Sequence, residues 1–321
     1  MANRLTSSIT PASLSQLAEA SVAVCAHDAG AASHLAAWLA PHQQQLRPCL
    51  EGPAHSLFTA RLGPLPKHSL ESSLKGACLL ISGSGWSSDL EHNARALARQ
   101  RGIPSVAVLD HWVNYRARFN RGGEEVLPDQ LWVADAEAQA LARAIFPELP
   151  VLELPNHWLA ELSQAVIGTR PYPPRQPARR LLYLLEPIRV PWPGGPWAWE
   201  YGELQGVRYW LEQLPLLTKH GWIAPHEHLE ALVLRPHPSE RDGKYDALIS
   251  EASQRWPIRL DKSPSLAAAL GWADMAFGCE TQALVAALAC GLSAFSTVPP
   301  WAPPCRLPHA ALHHLSRLEK P

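Results

Sequence analysis

No apolar stretch in these 321 residues approaches the roughly 20 consecutive apolar residues of a spanning helix. The opening MANRLTSSITPASLSQLAEA also lacks the uninterrupted apolar core of a signal peptide. A cytoplasmic protein without a transmembrane segment is expected, and peripheral membrane contact is compatible with this composition. An excess of charge of either sign is missing too. With 28 Lys and Arg against 29 Asp and Glu the net charge is -1, so no global basic field exists to gather nucleic acid. The six cysteines (Cys25, Cys49, Cys78, Cys279, Cys290, Cys305) are scattered without a CxxC pair. That spacing speaks against zinc and disulfides and for reduced, buried thiols. No repeat recurs at a solenoid period, which sets repeat architectures aside.

What is present is a two-part rhythm. A length of 321 residues exceeds one ordinary domain. Short apolar runs at 22–26, 77–82, 105–109, 130–134 and 151–154 read as strands, with helical patterns at 31–39, 90–101 and 136–145, the pattern of βα units on a parallel sheet. The segment IGTRPYPPRQPARR carries no apolar period and reads as a linker, 169–179, between an N-terminal domain (1–168) and a C-terminal one (180–321). The rhythm then restarts, with strands at 181–185, 231–234, 257–260, 275–277 and 293–296 and helices at 203–218, 240–254 and 281–290. The last of these strands is expected to close the sheet. Many of the 31 prolines and 13 tryptophans are assigned to loops. Residues 191–203, PWPGGPWAWEYGE, read as an ordered loop facing the expected cleft or as a solvent loop with incidental aromatics. The expected class is α/β, with two Rossmann-like doubly wound domains facing a central cleft.

Polar residues gather where such sheets bind ligands, at strand carboxyl ends. After the first strand, AHDAGAAS places His27, Asp28 and Gly30 at a helix start, with Asp28 read as a base or merely a cap. SGSGWSS offers Ser84 and backbone N–H groups, but it lacks the lysine of a P-loop and the spacing of a dinucleotide fingerprint. LDHWVNYRARF brings Asp110, His111 and Arg118, either for ligand contact or with Asp110 bracing the loop through Arg116 or Arg118. In the second half, Glu186 follows one strand and Arg235, His237 and Pro238 follow another. Lys262 and Ser263 follow a third, and Glu280 and Thr281 open a helix that suits a phosphate or needs only its cap. No DxD-like acidic cluster stands beside a strand end, so no metal and no cofactor are expected.

Three of these motifs together, Asp28-Ala29-Gly30, His237-Pro238 and Glu280-Thr281, resemble the D/E-D/E-G, His-Pro and paired-hydroxyl motifs of bacterial sialyltransferases. Related nucleotide-sugar transferases with the glycosyltransferase B fold share them. The resemblance implies that Asp28 is the general base, that His237 contacts the donor phosphate or assists departure, and that Thr281 holds the donor's phosphate or carboxylate. The sequence departs from the pattern at Ala29, where the family often has a second acid, and at Glu280-Thr281, where it has two hydroxyls. DHWVNYRARF and VPPWAPPCRLPH are also similar to segments of surface-polysaccharide biosynthesis proteins. The resulting expectation is an inverting, metal-independent glycosyltransferase of cell-envelope glycan synthesis. It would move a sugar, such as a nonulosonic acid from a CMP donor, to a glycan, lipid-linked or protein hydroxyl acceptor. A nucleotide-sugar 2-epimerase or hydrolase, and a catalytically idle nucleotide-sugar-binding subunit, are the alternatives.

Overall fold

SVAVCA has no polar position after Ser21, and the strand it forms, β1 (Ser21–Ala26), lies in a sheet covered on both faces. The computed structural model describes residues 9–17, 21–85, 87–170 and 172–318. Trp86 of the SGSGWSS loop, Pro171 of the linker and most of the segment read for targeting lie outside the described residues. The chain forms two compact units, Met1–Trp158 and Leu159–Pro321.

In the first unit β1 is followed by α1 (Ala29–Leu39), β2 (Leu46–Leu50), α2 (Gly52–Leu62), α3 (Leu70–Leu74), β3 (Ala77–Ser82), α4 (Leu90–Gln100) and β4 (Ser105–Leu109). A short antiparallel hairpin, β5 (Asn120–Arg121) and β6 (Glu124–Glu125), precedes β7 (Gln130–Val133), α5 (Ala136–Ile145) and β8 (Val151–Glu153). The sheet runs β2-β1-β3-β4-β7-β8 and is parallel throughout. Alternation along β1 feeds two cores. Val22 and Val24 pack with Leu35, Trp38 and Phe58, while Ala23 and Cys25 pack with Leu74, Leu90 and Ala94.

The second unit repeats the plan. α6 (His157–Thr169) straddles the division, which falls ahead of the proline-rich linker rather than within it. Then come β9 (Arg180–Leu184), α7 (Gly202–Lys219), β10 (Ala231–Arg235), α8 (Asp246–Ala252), β11 (Ile258–Leu260), α9 (Leu266–Trp272) and β12 (Met275–Gly278). α10 (Gln282–Ala289), β13 (Ser293–Ser296), β14 (His313–His314) and α11 (Leu315–Leu318) complete it. The order is β11-β10-β9-β12-β13-β14, again parallel.

Two expectations change. The helix read over 240–254 is confined to Asp246–Ala252, because Gly243 takes a φ of 77° that a right-handed helix cannot pass through. Residues 293–296 do not close the sheet, since β14 pairs outside them. Trp132 and Trp210 are fully buried, the first edge-on to Trp38 and the second against Tyr183 and Phe277. All six cysteines are free thiols. Among the described residues, no helix is long and apolar enough to cross a membrane.

Candidate functional site

In an open parallel sheet the ligand crevice lies where the strand order reverses, because loops on either side of that point leave in opposite directions. In the first unit the chain steps from β1 to β2 on one side and returns to β3 on the other, so the carboxyl ends of β1 and β3 define that point. His27 and Asp28 stand there. Asp28 occupies the N-cap position of α1 but makes no capping hydrogen bond. Instead its Oδ1 accepts from His27 Nδ1 at 2.7 Å, with the two side chains 25% and 22% exposed. The imidazole rests on Gly52, whose φ of 50° and missing Cβ make the room; an added Cβ would stand 2.7 Å from Nε2.

Gly30 admits a neighbour in the same way, since a Cβ there would collide with Asp110 Oδ2. Asp110 Oδ1 pairs with Arg118 Nη1 at 3.1 Å, and Arg118 Nε also donates to the Val113 carbonyl at 3.2 Å. Both ions are nearly buried, so the pair braces the loop as well as carrying charge. Ser84 is buried and donates its hydroxyl to the Val108 carbonyl at 2.6 Å, a structural use. His111 Nδ1 accepts the Trp112 N–H at 2.9 Å. His27, Asp28, Gly30, Ser84, Asp110 and Arg118 thus form one connected set at the strand ends.

Its centre is a residue the sequence did not flag. Glu91, in the first turn of α4, is fully buried. Its Oε1 accepts the His27 N–H at 3.1 Å, and its Oε2 is buried with no hydrogen-bond partner among the described residues. Burial raises its pKa to about 7; the His27 N–H and Arg95 oppose the shift, and the charges of Asp28 and Asp110 add to it. Arg95, one turn along, is equally buried and bonds Ser82 Oγ, the Gly83 carbonyl and the Val126 carbonyl. Burial lowers its pKa to about 10.

A carboxyl group that ordinarily titrates near 4.5 but titrates near 7 in the fold is held neutral there. The unfolded chain then sheds its proton first, and stability falls as pH rises from about 4.5 to about 7. The first unit is expected to lose about 3 kcal/mol over that window, and Glu91→Gln to flatten the loss. Urea unfolding at pH 5 and pH 8 checks this; an unchanged difference between parent and variant would count against it.

In the second unit the order reverses between β9 and β12. Glu186 follows β9, and its Oε1 accepts the Glu280 N–H at the end of β12. Burial raises the Glu186 pKa to about 7; the Glu280 N–H and Arg306 oppose this, while the carboxylates of Glu280 and Glu203 add to it. The Glu280 carboxylate is held by Arg306, whose Nε donates at 2.9 Å and whose backbone N–H donates at 2.6 Å. Thr281 is the N-cap of α10 and its Oγ1 accepts the Ala283 N–H at 3.3 Å.

Arg235 pairs with Asp261, and Asp261 Oδ1 accepts the Ser263 N–H at 2.9 Å. Lys262 is exposed between them. His237 and Pro238 are exposed. Glu240 Oε2 accepts the His237 N–H at 2.9 Å, and Ser239 Oγ lies 2.8 Å from His237 Nδ1. Desolvation lowers the His237 pKa, with Glu240 opposing. Behind this turn, Lys244 bridges Glu240 and buried Glu203, and the Tyr245 hydroxyl donates to Glu240 at 2.6 Å. In the aromatic insert Trp197 meets Trp301 and Gly195 abuts it, while Trp199 is 79% exposed.

Arg306, Asp261, Glu203, Lys244 and Glu91 are the supports that sequence reading missed. Arg306 and Lys244 lie outside any strand-end motif, and the two buried glutamates look like ordinary first-turn helix acids.

No protein-family model matches the chain, and no curated protein matches it. A solved structure of UDP-GlcNAc 2-epimerase from Methanocaldococcus jannaschii is similar to it, with a TM-score of 0.52 and 11% sequence identity, covering 86% of this chain and 83% of that one. The likeness lends nothing to a sialyltransferase-like identity. What it shows, together with two parallel six-stranded sheets, is a two-domain Rossmann-like fold of the glycosyltransferase B type.

Proposed function

We propose that the chain is a nucleotide-sugar enzyme that opens the bond between the anomeric carbon and the phosphate oxygen, of the 2-epimerase or hydrolase kind. The observation that carries the reading is the second unit's polar rim, gathered at the strand ends on a fold like that of a nucleotide-sugar epimerase. Lys262 and Ser263 would take the phosphates, with Arg235 and Asp261 fixing their loop. His237 would face the leaving phosphate, its turn held by Glu240 and Lys244. Glu186, near neutral in its pKa, is suited to give or take a proton around pH 7. Thr281 and Glu280 shape the same rim. In the first unit Asp28, freed from capping and paired with His27, is the base. No step in this reading calls for a metal.

Transfer to a hydroxyl acceptor is the second reading, favoured by that same uncapped Asp28, whose carboxylate would take the hydroxyl proton. A thermal-shift panel of UDP, CMP, GDP and CDP tests the common part. A nucleotide at 100 times its Kd is expected to stabilise the fold by about 2.7 kcal/mol. Silence from all four would end the proposal. Product analysis of the activated sugar with and without an acceptor then separates the readings, since only transfer requires an acceptor.

A further inference from the structure

We propose that Asp28 and Glu91 form an acid pair carrying a single negative charge, with the charge on Asp28 and the proton on buried Glu91. Gly85 lies between the two. A Cβ added there would collide with Asp28 Oδ2 and stand 3.0 Å from Glu91 Oε2, so the two oxygens share one small space. Gly83 makes the matching room on the other side, where a Cβ would collide with Glu91 Oε1. Glu91 Oε2 is buried and without a hydrogen-bond partner among the described residues, and it faces this space. A carboxylate in that position would combine desolvation with repulsion from Asp28, whereas a carboxylic acid escapes both.

The other groups around Glu91 do not reverse this. Arg95 on α4 directs Nε and Nη1 to Val126, Ser82 and Gly83, and its Nη2 is buried without a hydrogen-bond partner among the described residues, so it makes no bond to Glu91, while Asp110 after β4 is offset by Arg118. His27 offers Glu91 its backbone N–H while its ring turns to Asp28, and Cys25 on β1 is a buried thiol. The pair therefore leaves its charge on the accessible member. Glu91 acts as a positioning residue: it fixes the His27 backbone and keeps the proton away from Asp28.

The inference rests on the first unit's geometry and not on the identity of the ligand, so it is tested without one. Carboxyl carbons are followed by NMR through a pH titration of the ligand-free full chain, as the parent and as Glu91→Gln, Asp28→Asn and Asp110→Asn. One neutral-range carboxyl titration in the parent should vanish in Glu91→Gln, which assigns it. In Asp28→Asn its midpoint should fall by about one unit or more, and in Asp110→Asn by less. The same midpoint in parent and Asp28→Asn, or an equal fall in both aspartate variants, would overturn the pairing. Either result leaves the nucleotide panel to decide the function separately.

Discussion

Asp274→Ala is expected to destabilise the second unit by about 3–5 kcal/mol, the cost of stripping a buried charge from its partners. Asp274 is 2% exposed at the start of β12. Oδ1 accepts the Arg175 N–H at 3.2 Å and Arg180 Nη2 at 3.1 Å, while Oδ2 accepts the Arg179 and Arg180 N–H groups at 3.1 and 3.0 Å. One side chain thus ties the segment entering β9 to the neighbouring strand. Asp274→Asn should lose a comparable amount, because its amide nitrogen must face backbone donors with a donor. Burial pushes the Asp274 pKa up, but the Arg180 guanidinium and the three N–H groups outweigh it and leave it below the ordinary value. Its contribution is therefore present above the usual aspartate range and lost as acid protonates it. Urea unfolding with probes in each unit is the measurement. A loss below 1 kcal/mol, or a shift confined to the first unit, would refute the account.

Asp28→Asn is expected to lower turnover of a nucleotide sugar by roughly 10²- to 10⁴-fold, the range for removing a positioned general base. Asparagine keeps an oxygen for the His27 Nδ1 donor, so the loop retains its shape while the base is lost. Nucleotide affinity, assigned to the second unit, should stay unchanged, and the defect should fall on kcat. Turnover at the parental rate would remove Asp28 from the mechanism. A defect confined to nucleotide affinity would do the same.

Much of the scaffold was legible because buried parallel strands are written as short apolar runs. Residues 105–109 and 293–296 and the helix at 136–145 fall where that rhythm puts them. β2 was not legible, since LRPCL carries Arg47 and Pro48. A proline is tolerated there because β2 is an edge strand with one side unpaired. α6 was hidden by the proline-rich text that follows it.

The candidate site was legible in its strand-end residues and illegible in their supports. Asp28 and His237 announce themselves by following apolar runs. Glu91 does not, because LEHNARALARQ reads as a surface helix, and Glu91 is buried between Gly83 and Gly85 of the loop just ahead of it and the His27 N–H, which is 64 residues away in sequence. The bond from Arg306 to Glu280 likewise joins residues far apart in sequence. Long-range pairs of this kind have no local signature.

The position of β9 bears on how the chain assembles on the ribosome. In the first unit every strand of the sheet has emerged once Glu153 is out, so that half can fold while the rest is still being made. In the second, the first strand to emerge sits between β10 and β12, and it keeps one open edge until residue 275 arrives. LLYLL, the apolar stretch at β9, is therefore the segment most exposed to wrong pairing during synthesis, and a chain stalled before β12 would present it to any neighbouring strand.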